Sequence, residues 1–169
     1  MAMTKFKGAT VNTCGDLPKA GAATPDFALT QGDLSEAKPA DFQGAPVILN
    51  IFPSVDTPVC AASVRRFNET AASLGNVKVL CISRDLPFAQ ARFCGAEGIE
   101  NVVMLSEMRD RDFGKAYGLE IVDGPLAGLL ARAVLVVDGE GKVTYVQLVE
   151  EIAEEPDYEA ALEALKACM

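Results

Sequence analysis

The stretch Pro46-Val47-Ile48-Leu49-Asn50-Ile51-Phe52-Pro53-Ser54-Val55-Asp56-Thr57-Pro58-Val59-Cys60 decides the fold. Its first half is apolar at nearly every position, the pattern of a central strand covered on both faces. Its second half is a loop stiffened by Pro53 and Pro58. From Cys60 to Leu74 the apolar residues recur at 64, 67, 71 and 74, a helical period, and Gly75-Asn76 supplies the stop. A buried strand, a short loop and an amphipathic helix together imply an α/β sheet. In open α/β sheets, reactive groups collect at the carboxyl ends of the strands, where this loop lies. Cys60 then stands at a helix N-terminus, where unpaired N–H groups and the helix dipole favour a thiolate.

The rest of the chain extends this unit. Val77–Ser83 reads as a second buried strand and Val102–Leu105 as a third. Pro87–Phe93 opens as a short helix with proline in its first turn, and Asp110–Tyr117 is another, stopped by Gly118. Arg132–Asp138 and Lys142–Val149 flank the turn Gly139-Glu140-Gly141 and form an antiparallel hairpin. Asp157–Ala167 closes the chain as a helix with Tyr158, Leu162 and Leu165 on one face. Upstream, residues 5–13 predict a short hairpin, Asp26–Thr30 a short strand, and Leu34–Phe42 one or two helical turns ending at Gly44. The expected fold is α/β: a mixed β-sheet flanked by helices with an N-terminal β-hairpin, residues 1–169 forming one domain.

Composition narrows the function. The net charge of −9 argues against nucleic acid and against an anionic membrane as partner. No stretch approaches the ~20 apolar residues that span a bilayer, and the N-terminal segment has no apolar run of a secretory signal. Five cysteines at irregular spacing fit a reducing cytoplasm, with individual thiols having individual jobs. The chain has no histidine, which removes Ser-His and Cys-His nucleophilic catalysis and histidine-ligated metal sites. No C-x-x-C pair is present, so structural zinc is not expected. Activation of Cys60 must come from a helix terminus, a cation or a hydroxyl, and Thr57 offers a hydroxyl three residues earlier.

Cys94 lies in Pro87-Phe88-Ala89-Gln90-Ala91-Arg92-Phe93-Cys94-Gly95. Locally it reads either as the last buried turn of a short helix or as a mobile second thiol, softened by Gly95 and Gly98. Cys81 alternates with Val77 and Val79 and reads as core packing; Cys14 sits in a surface turn. Cys168 is a rival partner thiol, reachable near the chain end but poorly positioned. Arg132 opens an apolar run, which is either a solvated strand edge or a fixed cation beside a thiol. The apolar stretch Pro125–Leu130 reads as pocket lining, interface or core.

The motif Pro53-x-x-x-Thr57-x-x-Cys60 is that of the peroxidatic cysteine in peroxiredoxins. With Arg84–Cys94, Ala131-Arg132-Ala133 and Glu155–Ala161, the whole chain resembles the thiol peroxidases, the atypical two-cysteine branch of that family. The resemblance implies a thioredoxin-like fold and a homodimer. It makes Cys60 the peroxidatic cysteine and Cys94 the resolving one, with Pro53, Thr57 and Arg132 shaping the site for thiolate and peroxide. Hydrogen peroxide and alkyl or lipid hydroperoxides would be substrates, thioredoxin the reductant, and no cofactor or metal would take part. A thioredoxin-like disulfide oxidoreductase is less favoured, because Thr57 stands where its first cysteine would be. A non-catalytic redox sensor is the remaining alternative.

Overall fold

The computed structural model describes residues 1–169. The apolar runs become the middle of the sheet and the patterned segments its cover. In chain order the strands are β1 (Met3–Phe6), β2 (Ala9–Asn12), β3 (Leu29–Thr30), β4 (Glu36–Ala37), β5 (Val47–Ile51), β6 (Lys78–Ser83), β7 (Val103–Ser106), β8 (Ala133–Val137) and β9 (Val143–Leu148). The helices are α1 (Pro58–Leu74), α2 (Pro87–Glu97), α3 (Asp112–Ala116) and α4 (Tyr158–Ala167). β1 and β2 pair as a separate antiparallel hairpin. The other strands form one seven-stranded sheet in the order β4-β3-β7-β6-β5-β8-β9. β5, β6 and β7 are parallel, whereas β8 runs antiparallel to β5 and pairs Ala133 with Ile51. That last pairing brings the residue before β8 to the carboxyl end of β5.

Strand periodicity divides the core into two layers. Leu49, Ile51, Leu80, Ile82 and Leu135 face Phe27, Phe113 and Tyr117 on one side. Ile48, Val79, Cys81, Val134 and Val136 face Val64 and Phe67 of α1 and Ala161 and Leu165 of α4 on the other. Cys60 belongs to this second layer.

Two upstream expectations need correction. The segment Leu34–Phe42 is not chiefly helical: Glu36–Ala37 pairs with Leu29–Thr30, and only Pro39–Phe42 makes a 3₁₀ turn. Leu34 takes a φ of 70°, which reverses the chain and brings the two short strands together. The strand expected over Asp26–Thr30 is confined to Leu29–Thr30. Further along, α2 runs past Phe93 to Glu97, because Gly95 stays helical and the left-handed turn comes only at Gly98, with a φ of 66°.

The loops at the carboxyl end of the sheet are tied by Arg84. Its guanidinium donates to the Glu107 carboxylate, to the Gly128 carbonyl and, at 2.7 Å, to Glu120. Glu107 is fully buried and also accepts from the Gly114 N–H. Burial pushes the Glu107 carboxyl up from its ordinary value, opposed by Arg84. Removing one partner of a buried pair strands the other charge, so Arg84→Met should lower unfolding stability by about 3–5 kcal/mol in urea titration. A carboxyl whose folded pKa is raised takes up its proton on folding, so its contribution is present at low pH and lost as pH rises. The deficit of Arg84→Met should therefore be smaller at pH 5 than at pH 8. An equal deficit at both would show that Glu107 is not the stranded charge.

Candidate active site

The loop between β5 and α1 is built on Asp85. Its carboxylate accepts from the Ser54 hydroxyl at 2.8 Å, the Val55 N–H at 2.9 Å and the Ser83 hydroxyl at 2.6 Å. Pro53 is buried beneath the loop, while Asp56, Thr57 and Pro58 are exposed on its outer side. Thr57 is the N-cap of α1 by backbone position, and its carbonyl accepts from the Ala61 N–H at 3.0 Å. Its hydroxyl donates to the Ser54 carbonyl at 3.0 Å and makes no hydrogen bond to Cys60. Thr57 thus braces the loop in this state rather than touching the sulfur.

Cys60 is the third residue of α1 and is fully buried. Its sulfur meets a single polar partner, the Arg132 Nη2 at 3.1 Å. Arg132, 2% exposed, is fixed by its Nε donating to the Ile152 carbonyl at 2.8 Å, and its own carbonyl accepts from the Val149 N–H. Its Nη1 is buried without a partner. The choice between solvated edge and fixed cation is settled by position: Arg132 is an interior guanidinium aimed at the sulfur. A buried donor left without an acceptor is costly unless something fills the place. A peroxide oxygen beside Cys60 would fill it.

Sequence reasoning missed the polar chain behind the cysteine. Asn50 donates through Nδ2 to the Ser63 hydroxyl at 3.2 Å, and Ser63 donates to the Cys60 carbonyl at 2.8 Å. Asn50 and Ser63 are fully buried. The chain clamps the first turn of α1 onto β5. Its signal was visible as the one polar residue in the run Val47–Phe52.

All five cysteines are free thiols. Cys94 lies in the second half of α2, half-buried, packed against the same apolar layer as Cys60. Burial pushes its thiol up from the ordinary value, which favours the protonated form. One side of Cys94 lines an open cleft of about 310 Å³ with Gln90, Ile99 and Met104. Burial pushes the Cys81 thiol up to about 12, as expected of a core residue. Cys14 is exposed, 3.5 Å from the Gly114 carbonyl. Cys168 lies 3.1 Å from the Ala164 carbonyl and 3.5 Å from Thr144 Oγ1. Thr144 sits near the start of β9, whose other end, Leu148, pairs with Ala133 beside Arg132. Cys168 is therefore at the opposite pole of the sheet from Cys60.

A more enclosed apolar cleft, of about 230 Å³, is lined by Phe27, Phe42, Val47, Leu80 and Val137 where β5 begins and β8 ends. None of the candidate residues lines it. Pro125–Leu130 lines neither cleft; it is a surface turn with Leu126 and Leu130 packed on the core. No set of three or more Cys, Asp or Glu side chains gathers to hold a metal. No helix is long and apolar enough to cross a membrane.

A helix-borne thiol at the carboxyl end of a mixed sheet, facing a buried guanidinium with a spare donor, is an arrangement suited to thiol redox chemistry. The redoxin family profile matches residues 19–162. The thiol peroxidase of Mycobacterium bovis is 58% identical over 167 residues, covering 99% of this chain and all of that protein. The crystal structure of a peroxiredoxin-like protein from Aquifex aeolicus superposes with a TM-score of 0.92 at 41% identity, covering 100% of this chain and 98% of that one. A thiol peroxidase from Chromobacterium violaceum superposes at 0.90 with 26% identity, covering 98% and 95%. The chain belongs to the redoxin family, and its fold is the thioredoxin-like fold of the peroxiredoxins.

Proposed function

We propose that the chain, acting as one domain, reduces hydrogen peroxide and alkyl or lipid hydroperoxides through Cys60 and Cys94, and is recycled by thioredoxin. The observation that carries this reading is the Arg132 Nη2 contact with the buried Cys60 sulfur at 3.1 Å. In the first step the Cys60 thiolate attacks the distal peroxide oxygen. The O–O bond breaks, a sulfenic acid forms on Cys60, and the leaving oxygen departs as water or alcohol after taking a proton. Arg132 holds the thiolate through Nη2, and its free Nη1 meets the charge that develops on oxygen.

In the second step the Cys94 thiol attacks the sulfenic sulfur, forming an intrachain disulfide and releasing water. A disulfide needs its Cα atoms within about 4.4–6.8 Å. Two thiols in separate intact helices reach that separation by local opening of the first turn of α1 and of the segment carrying Cys94. A dithiol protein then exchanges with the disulfide and leaves with its own cysteines oxidised. Pro53 and Thr57 keep the loop shaped for the oxidant. A homodimer working in a reducing cytoplasm completes the reading.

Replacing Cys94 by serine tests the second step. The variant should consume about one equivalent of peroxide per chain as Cys60 becomes a sulfenic acid, take up a second equivalent only as excess peroxide carries it to sulfinic acid, and then stop. Peroxide consumption in the presence of thioredoxin and its reductase measures this. Undiminished cycling would remove Cys94 from the scheme. The same assay on the unsubstituted protein separates an enzyme from a sensor, which reacts once per chain.

A further inference from the structure

We propose that Gln90 is the positioning residue that sets how readily the Cys94 turn opens, and hence how oxidised Cys60 divides between disulfide and sulfinic acid. The proposal rests on the Cys60–Cys94 reading above. Of the eleven residues of α2 only Pro87 and Gln90 are buried, whereas Leu86 and Phe88 beside them are 52% and 64% exposed. Beyond Gln90 no residue of the helix is fully covered, and Phe93 and Cys94 pack only in part. An element with so little buried apolar contact lies at the low-stability end of a fold.

Gln90 supplies what apolar packing does not. Its Nε2 donates to the Ser83 hydroxyl at 3.1 Å and to the Leu105 carbonyl at 2.9 Å, joining α2 to β6 and β7. A carbonyl can only accept, so Leu105 fixes which end of the amide faces the sheet. Ser83 spends its own proton on Asp85 and is left to accept. Both amide hydrogens are thereby used. The Oε1, in contrast, is buried without a partner. The closed state thus holds α2 through two hydrogen bonds made by one side chain, with no protein partner for its third polar atom.

In a regular α-helix the Cys94 N–H bonds to the carbonyl of the residue four before it, which is Gln90. At the other end, the Cys94 carbonyl accepts from the N–H groups of Gly98 and Ile99. Opening of the Cys94 turn thus runs from Gly98 back to Gln90, and the Gln90 side chain is where it stops. Once the turn is open, the Cys94 thiol attacks the Cys60 sulfenic acid, an S–S bond replaces the S–O bond, and water leaves. While it stays shut, a second peroxide oxidises the sulfenic acid to sulfinic acid and departs as water or alcohol.

The test is Gln90→Met, which keeps the length of the side chain and removes both donors. After a pulse of hydrogen peroxide, quenched-flow mass spectrometry follows the Cys60–Cys94 bond and Cys60 sulfinic acid. The ratio of disulfide closure to sulfinic formation should rise about tenfold, the scale of one or two lost hydrogen bonds. Amides 91–97 should exchange about tenfold faster, with β5 still protected. Gln90→Ala serves if the methionine variant does not fold. In the unsubstituted protein itself, amide protection should fall about tenfold between Gln90 and Cys94; uniform exchange along α2 would overturn the proposal without any variant. A disulfide that forms with an unchanged ratio overturns the role of Gln90 alone. Its absence from the unsubstituted protein overturns the two-cysteine reading as well.

Discussion

Cys60→Ser should reduce peroxide turnover by more than about 10⁴-fold, the scale seen when an enzyme loses its nucleophile. Oxygen replaces sulfur at nearly the same size, so the fold should survive and Arg132 should keep a polar neighbour in the second core layer. What disappears is the sulfur that accepts oxygen from the peroxide. The measurement is peroxide loss with dithiothreitol or thioredoxin as reductant, alongside far-ultraviolet circular dichroism to show the fold intact. Cys14, Cys81, Cys94 and Cys168 all remain in that variant. Residual turnover above about 1% would mean that one of them can serve, and the assignment of Cys60 as the reacting sulfur would fall.

Arg132→Met should lower kcat/KM for hydrogen peroxide by about 100- to 1,000-fold, the usual effect of deleting one donor at a developing oxyanion. Electrostatic magnitudes favour a large effect. A guanidinium and a thiolate 3.1 Å apart attract by about 5 kcal/mol at an effective dielectric of ~20. Negative charge that develops in a fully covered site is costly without a partner, and Arg132 is the one polar group that the sulfur meets there. Arg132→Lys should recover only part of the loss, because one ammonium cannot hold Ile152, the sulfur and an incoming oxygen in the fixed geometry of three guanidinium nitrogens. Stopped-flow oxidation at several peroxide concentrations gives the rate constant directly. A loss below about fivefold in Arg132→Met would reduce the contact to packing.

Much of this was legible because a period of two or of 3.6 is written in side chains. The apolar run of β5, broken only by Asn50, announced a strand covered on both faces, and every residue of Val47–Ile51 is buried. The spacing of Val64, Phe67 and Ala71 announced the buried stripe of α1. A two-residue strand has no period, so β4 was hidden; it exists because Leu34 turns the chain back onto Thr30. The end of α2 was misread because a glycine stops a helix only when the backbone turns left-handed there, which Gly98 does and Gly95 does not.

Within the site, the motif placed Cys60 at the start of α1 but could not give the direction of the Thr57 hydroxyl, which depends on the Ser54 carbonyl in the same loop. Arg132 was ambiguous for a different reason. Whether it meets water or sulfur is decided by the pairing of β8 with β5, a contact between distant parts of the chain. Asp85 and Gln90 were invisible as anchors on the same ground, since their partners lie on neighbouring strands and loops.

The guanidinium is carried by the residue that leads into β8, beside the end of β5, and the sulfur it faces is carried by the first turn of a helix. On the two-cysteine reading proposed above, fraying of that turn would leave the cation behind and carry the oxidised sulfur away from it, toward the Cys94 thiol. Protection against a second oxidative hit would then follow from the division of labour between strand end and helix: the damaging reaction would require the two together, and the healing one would require them apart.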